Sequence, residues 1–387
     1  MMNTLTAKIP STPQCAGHSG AIRADDLLWA AATLTLAQSK WARPDGRPRV
    51  DLTAEEPLNY RDGDRNVVDL VKQLKDEGYE VRLNTNGCLL SRYASGLAAS
   101  GLDVLRVHLD TIDQGAYVSI TGSDCLHRVL DGIHDALACG LSVKLNRVLL
   151  ADKLGDVPGY LDYIEANSLV AKFLDLHWST PDAGDVGDIM SSVLESHVLP
   201  RTIGCPRFKD SRNDSPRVIY PLRYGAAVEV RMPAAARIAA LPFCRRCPWL
   251  GRCARTSCLL PTSAKLMPDL SVEFCSVRHA PGIELAPLRA AGLGPASAAQ
   301  CVSESLLTNV FEGDPAGFLP LVIRAVIWPT CNLRCRYCHA DGWSDWQTAV
   351  HDHRPASVWP RPGWPTSRRF TLSTSRRESA MVSAQMG

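Results

Sequence analysis

From Ala24 to about Trp178 the apolar residues keep two spacings in turn, one helical and one extended, and this alternation restricts the fold more than any other feature of the chain. Ala24–Trp41 reads as a helix of strong formers, with Asp25 and Asp26 in its first turn. Val67, Val68, Leu70, Val71 and Leu74 share one helical face, and Gly78 follows where such a helix ends. Arg92–Ala99 and Val157–Ala166 are further helices, and Leu126, Val129, Leu130, Ile133 and Leu137 mark another, stopped at Gly140. Between them Arg49–Leu52, Glu80–Leu83, Val104–Leu109, Ser142–Leu150 and Val170–Leu176 read as strands. Strands and helices alternating at this interval give βαβ units and a parallel sheet, open or curved into a barrel.

In either form, chemistry sits at the carboxyl ends of the strands. Polar residues collect there. The first strand runs into Thr53-Ala54-Glu55-Glu56-Pro57, the second into Asn84-Thr85-Asn86-Gly87 and the third into His108-Leu109-Asp110-Thr111, while Asn146 lies within the fourth. Any one of these is a turn or cap on its own; three in succession read as one mouth. Beyond Thr180 the alternation fades. Arg217–Leu222 and Ala227–Arg231 flank Arg223-Tyr224-Gly225-Ala226 as a hairpin. Pro281–Phe318 reads as a linker or loosely helical connection, and Leu319–Trp328 as an apolar strand. After Trp346 no period survives, and residues 346–387 read as a disordered tail.

The chain has 387 residues, 45% of them apolar, enough for a sizeable core. Forty-two basic against 40 acidic residues give a net charge of +2, with no electrostatic case for a nucleic-acid or membrane-surface partner. Leu27–Ala37 and Leu319–Trp328 are too short to span a bilayer. Met1–Pro13 lacks an apolar signal core, so a cytoplasmic, reducing location is expected. There the 14 cysteines are expected to bind metal or do redox chemistry rather than form a disulfide framework. Cys88, Cys125, Cys139 and Cys301 read as small core or surface residues.

Two groups stand out. Cys331-Asn-Leu-Arg-Cys335-Arg-Tyr-Cys338 can wrap one compact centre, an iron–sulfur cluster or a zinc ion completed by His339. Cys244, Cys247, Cys253 and Cys258, with Cys275 after them and Cys205 before the hairpin, form a second candidate metal group, structural zinc being the simpler reading.

The Cys331–Cys335–Cys338 spacing, with an aromatic before the last cysteine and a strand leading in, resembles the signature of the radical S-adenosylmethionine (SAM) enzymes. Glu56-Pro57 resembles the end of that family's Gly-Gly-Glu-Pro motif, and Asn84-Thr85-Asn86-Gly87 its Thr-Thr-Asn-Gly strand end. Val107–Asp110 with Ile120-Thr121-Gly122, Lys144-Leu145-Asn146 and Lys172–Asp175 extend the likeness, which in this stretch is to the molybdenum-cofactor GTP cyclases. The second cysteine group resembles the auxiliary-cluster extension of SPASM-type members, which mature peptides and proteins.

The resemblance implies a partial (β/α) barrel at 24–180, behind an N-terminal segment 1–23. A small cysteine-rich extension follows at 200–280, then a linker at 281–318 and a strand with cluster loop at 319–345. It implies a [4Fe–4S] cluster on Cys331, Cys335 and Cys338, with Glu56 holding the amino group of SAM and Thr85, Asp110 and Asn146 walling it. One-electron reduction by a flavodoxin or ferredoxin would cleave SAM and start radical chemistry on a peptide, or on a nucleotide in a cyclase-like alternative. The other cysteines would hold an auxiliary cluster, with zinc as the alternative. The chain departs from the family in three places. Ala54 and Glu55 replace both glycines, His108 stands where Ser is usual, and the cluster motif comes last instead of first. Two arrangements fit that order: a circularly permuted barrel that Leu319–Trp328 completes, or an inactive barrel joined to the truncated start of another.

Overall fold

Helix and strand alternate as the apolar spacing requires. The computed structural model describes residues 21–38, 47–53, 56–175, 188–211, 214–232, 245, 263–273, 282–310, 322–327 and 333. Cys244, Cys247, Cys253, Cys258, Cys275, Cys331, Cys335, Cys338 and the tail 346–387 lie outside them.

Helix α1 (Ala24–Gln38) leads to strand β1 (Arg49–Thr53), a short hairpin of β2 (Arg61–Asp62) and β3 (Arg65–Asn66), and helix α2 (Val67–Asp76). A capping box starts α2: Asn66 Oδ1 accepts from Val68 N–H, and Asp69 accepts from Asn66 N–H, both at 2.8 Å. Gly78 closes the helix at φ +84°, a conformation that costs glycine little. Then follow β4 (Glu80–Thr85), α3 (Leu90–Ala99), β5 (Val104–His108), α4 (Gln114–Thr121), α5 (Leu126–Ala138), β6 (Val143–Leu149), α6 (Val157–Ala166), β7 (Val170–Asp175) and α7 (Asp188–Val193). The last section contains β8 (Arg207–Ser211), β9 (Asp214–Pro221), β10 (Ala227–Arg231), β11 (Ser263–Leu266), β12 (Ser271–Glu273) and β13 (Ile283–Glu284). Helices α8 (Ala286–Ala290) and α9 (Pro295–Ser305) and strand β14 (Val322–Val326) complete it.

Twelve described strands join one sheet in the order β13-β12-β11-β14-β1-β4-β5-β6-β7-β10-β9-β8. From β11 through β14, β1 and the following strands to β10 every neighbouring pair is parallel; antiparallel hairpins extend both edges. The expected hairpin is β9–β10, paired from Ala227 with Pro221 to Arg231 with Arg217. The late strand β14 inserts between β1 and β11, with Val50 opposite Ile323 and Thr53 opposite Val326.

Apolar strand residues at every second position turn to one face. Val50, Leu52, Val81, Leu83, Leu105, Val107, Leu145, Ala171 and Phe173 are buried in one core with Leu27 and Leu34 of α1, Leu70 of α2 and Ile133 of α5. Ile323, Ala325 and Ile327 belong to that same core. The other face is polar, carrying Arg49, Asp51, Arg82, Arg106, Lys144, Lys172, Glu229 and Arg324. A parallel sheet buried on both sides by helices reads as continuous apolar runs. This one has helices on one face and charges on the other.

Two expectations change. Part of 281–318 packs as structure rather than spanning: Ser303 Oγ donates to Ala37 O at 3.1 Å, and Trp29 Nε1 to Leu293 O at 2.8 Å, so α9 and its approach lie along α1. Apolar Ala298, Ala299 and Val302 supply the buried contact. Cys88 and Cys125, read as unpaired, are joined by a disulfide, whereas Cys139 and Cys205 are exposed free thiols. A spacing of 37 residues carries no hint of that pairing.

Candidate functional site

The site begins where β1 ends. Pro57–Asn59 forms one 3-10 turn, which leaves Glu56 extended as its cap and folds the carboxylate back toward β4. Glu56 is fully buried. Its Oε1 accepts from Leu58 N–H at 2.9 Å and Thr85 Oγ1 at 2.6 Å, and its Oε2 accepts from Asn86 N–H at 2.8 Å. Burial pushes the Glu56 carboxyl above its ordinary value, against the pull of those hydrogen bonds. Among the described residues it forms no ion pair with a cation.

The turn after β4 is held as tightly. Thr85 Oγ1 accepts from Gly87 N–H, and Asn86 Oδ1 from Cys88 N–H, both at 3.0 Å. Gly87 sits at φ +82°, and a Cβ there would lie 2.9 Å from Cγ1 of both Val107 and Val129, so only glycine lets the turn seat on β5 and α5.

Asp110 follows β5 and is buried; its Oδ1 accepts from Val148 N–H of β6 at 2.6 Å. Asn146 pairs in register with His108, and its carbonyl accepts from Leu109 N–H at 3.0 Å. Burial pushes the His108 imidazole down while Asp110 pulls it up, the net shift being downward. Behind this loop Asp156 accepts from Thr111 Oγ1 at 2.5 Å, Ile112 N–H at 3.1 Å and Arg147 Nη2 at 2.5 Å. The structure thus bonds Glu56 to Thr85 directly and sets Asp110 just past β5 and Asn146 on β6. Cys205, exposed ahead of β8, has no metal-holding cluster of His, Cys, Asp or Glu around it among the described residues.

Residues not singled out in the sequence line the polar face. A cleft of about 100 Å³ is bordered by Arg82, Arg106, Lys144, Lys172, Arg217 and a single acid, Glu229. Lys144 Nζ lies 2.8 Å and Arg217 Nη1 3.3 Å from the Glu229 carboxylate. Burial raises Glu229, but Arg217, Lys144 and Lys172 more than compensate and hold it below its ordinary value. Toward β14, Asp51 is bonded to Arg49 and Arg106; against its burial, these with Arg82 and Arg324 draw its carboxyl down to about 2. The signal was present in sequence only as one or two charges on the same face of each successive strand.

The strand ahead of Cys331 reaches this end of the sheet. Ile327 N–H donates to Thr53 O at 3.1 Å, three residues before Glu56, and Leu333 is buried in the main core.

Residues 32–162 match the family model described as the radical SAM superfamily. The GTP 3′,8-cyclase of Pectobacterium atrosepticum is 29% identical over 182 residues, covering 45% of this chain and 53% of that protein. That of Mesorhizobium japonicum is 43% identical over 112 residues, covering 28% of this chain and 33% of that protein. The chain therefore spans about half or less of the length of these curated relatives. Among solved structures, Streptococcus suis SuiB bound to precursor peptide SuiA aligns with a TM-score of 0.45 at 12% identity, over 73% of this chain and 57% of SuiB. AnSMEcpe with bound AdoMet aligns at 0.33 and 14%, over 45% of this chain and 48% of that one.

Proposed function

We propose that the chain, whose residues 32–162 match the radical SAM superfamily, binds SAM beside Glu56 and starts radical chemistry on an anionic substrate. One observation carries this reading: Glu56 is a buried carboxylate supplied with neutral donors and lacking a cation among the described residues. Such a group is costly unless a positive partner arrives. The ammonium group of SAM is a partner of that kind, with Thr85, Asp110 and Asn146 as walls.

Cys331, Cys335 and Cys338 are the proposed cluster ligands. Cys331 comes four positions after Ile327, a reach of at most about 14 Å, and Ile327 is bonded to Thr53. Leu333, inside the motif, is anchored in the core. The parallel pairing of β14 with β1 supports a circularly permuted barrel, in which α1 stands where the crossover between those two strands would run. Cys331, Cys335 and Cys338 would hold a [4Fe–4S] cluster there, and when bound that cluster would supply the one-electron reduction that cleaves SAM. Glu56 fixes the amino end of SAM, the Asn86 turn closes the wall behind it, and the inner-face cations hold the substrate's negative groups. His108, kept neutral by burial, offers a hydrogen bond without further charge.

A nucleotide is the favoured substrate class, because cations dominate the cleft and the matched relatives bear the name GTP 3′,8-cyclase. The peptide alternative rests on the spacing of Cys244, Cys247, Cys253, Cys258 and Cys275, which with Cys205 would hold an auxiliary iron–sulfur cluster or zinc. A cytoplasmic flavodoxin or ferredoxin is the proposed reductant. Anaerobic reconstitution tests the whole. Iron and sulfide should bind, SAM should be cleaved under reduction, and replacing Cys331, Cys335 and Cys338 by Ala should abolish cleavage. Zinc without iron, or no cleavage by the iron-loaded protein, would leave a binding protein in place of the enzyme.

A further inference from the structure

The turn that holds Glu56 carries a covalent link to the body of the protein in addition to its seat on β5 and α5. Within the turn, hydrogen bonds join Thr85 and Asn86 to Glu56, Thr85 to Gly87 and Asn86 to Cys88, and Leu90 N–H donates to Gly87 O at 3.0 Å. Cys88 then reaches out of the turn to Cys125, the residue immediately before α5, with Cα atoms 6.1 Å apart. That separation is ordinary for a disulfide. Both cysteines are buried, and the Tyr117 hydroxyl of α4 lies 3.3 Å from Cys125 Sγ and 3.9 Å from Cys88 Sγ. Asn86, whose N–H holds Glu56 Oε2, is two residues from the bridged sulfur.

We propose that the Cys88–Cys125 bond is a reversible redox latch: closed, it orders the Thr85–Cys88 turn, and opened, it loosens the grip on Glu56. The consequence for SAM rests on the function proposed above; the effect on the turn does not. Closing transfers two electrons from the two thiols to a low-molecular-weight disulfide. The protein S–S bond forms as the S–S bond of that reagent breaks, and the two protons leave on the two thiols released. Opening is the reverse exchange with a thiol. Burial of both sulfurs makes either exchange wait for local opening around Tyr117, so the bond can persist in a reducing compartment.

The test uses the full chain, treated with oxidised glutathione or with a phosphine reductant. Trypsin cuts after Arg82, Arg92, Arg106 and Arg128, so the bond should appear as Leu83–Arg92 linked to Val107–Arg128, and disappear on reduction. The free thiol Cys139 should alkylate in both samples. Deuterium uptake across Leu83–Arg92 should rise several-fold on reduction. Cys125→Ala should show the high uptake whether oxidised or not, and Cys88→Ala repeats the test should the first variant not fold. SAM affinity should fall several-fold in step. Absence of the linked peptide after oxidation, or equal uptake in the two states, overturns the latch. If uptake changes and SAM binding does not, while Glu56→Gln still abolishes binding, the connection to the ligand is wrong. If no form binds SAM, the functional reading fails and the latch stands on the uptake alone.

Discussion

Glu56 combines two features that seldom coexist, complete burial and a carboxylate geometry already satisfied by N–H and O–H donors. The donors favour the ionised form and burial opposes it, and burial is the larger effect. The pH behaviour follows. A SAM ammonium needs the ionised carboxylate, so affinity should be flat near neutrality. It should then fall as pH drops through a midpoint displaced above 4.5, the ordinary value. On the alkaline side the ligand's own amino group titrates near about 8. Equilibrium dialysis of SAM from pH 4 to 9 reads both limbs. Glu56→Gln should remove the acidic limb together with most of the affinity; a variant binding SAM as the parent does would remove Glu56 from the site. Thr85 acts through Glu56, since its hydroxyl donates to the carboxylate and also accepts from Gly87 N–H.

Secondary elements were readable where their information is local, and their partners were not. The Val67–Leu74 stripe and Gly78 specify α2 without help from elsewhere, and the polar strand ends that proved to hold Glu56, Thr85 and Asp110 follow from the same βαβ rhythm. Leu319–Trp328 reads as a strand from its β-branched residues, yet nothing in it says that Val322–Val326 should lie between β1 and β11, nearly three hundred residues from the first of these. Pairing is set by which edge is open and which apolar face needs cover, and both are properties of the assembled sheet. For the same reason α9 was legible only as a loose connection: its alanines make sense once α1 lies against them. The inner-face cations escaped notice because each strand shows only one or two. The place of β14 has a direct consequence. Ile323 is fully buried, so Ile323→Ala should cost about 2–5 kcal/mol and lower the Tm of the whole domain in one transition. An unchanged Tm would mean that β14 is a detached remnant, and the permuted barrel would lose its first strand.

At the scale of the molecule, the net charge of +2 conceals its distribution. Arg49, Arg82, Arg106, Arg324, Lys144 and Lys172 meet on one face, with Asp51, Glu80 and Glu229 as acids among them. Burial lowers Arg324 to about 9; Asp51 counters that, and Arg231, Arg106 and Arg49 add to it. A base whose folded pKa is depressed opposes folding while it carries its proton, so at neutral pH Arg324 costs stability that an anionic occupant would return. Tripolyphosphate or GTP should therefore raise Tm, by the equivalent of about 2.7 kcal/mol at a hundredfold excess over Kd. Guanosine, and sodium chloride at matched ionic strength, should do much less. Lys172→Met and Lys144→Met should shrink the shift, since each removes a charge that borders the cleft. An equal shift from guanosine would assign recognition to the base instead of the phosphates. A shift that survives both lysine variants would move the anion site off this face and leave the polar sheet without a ligand.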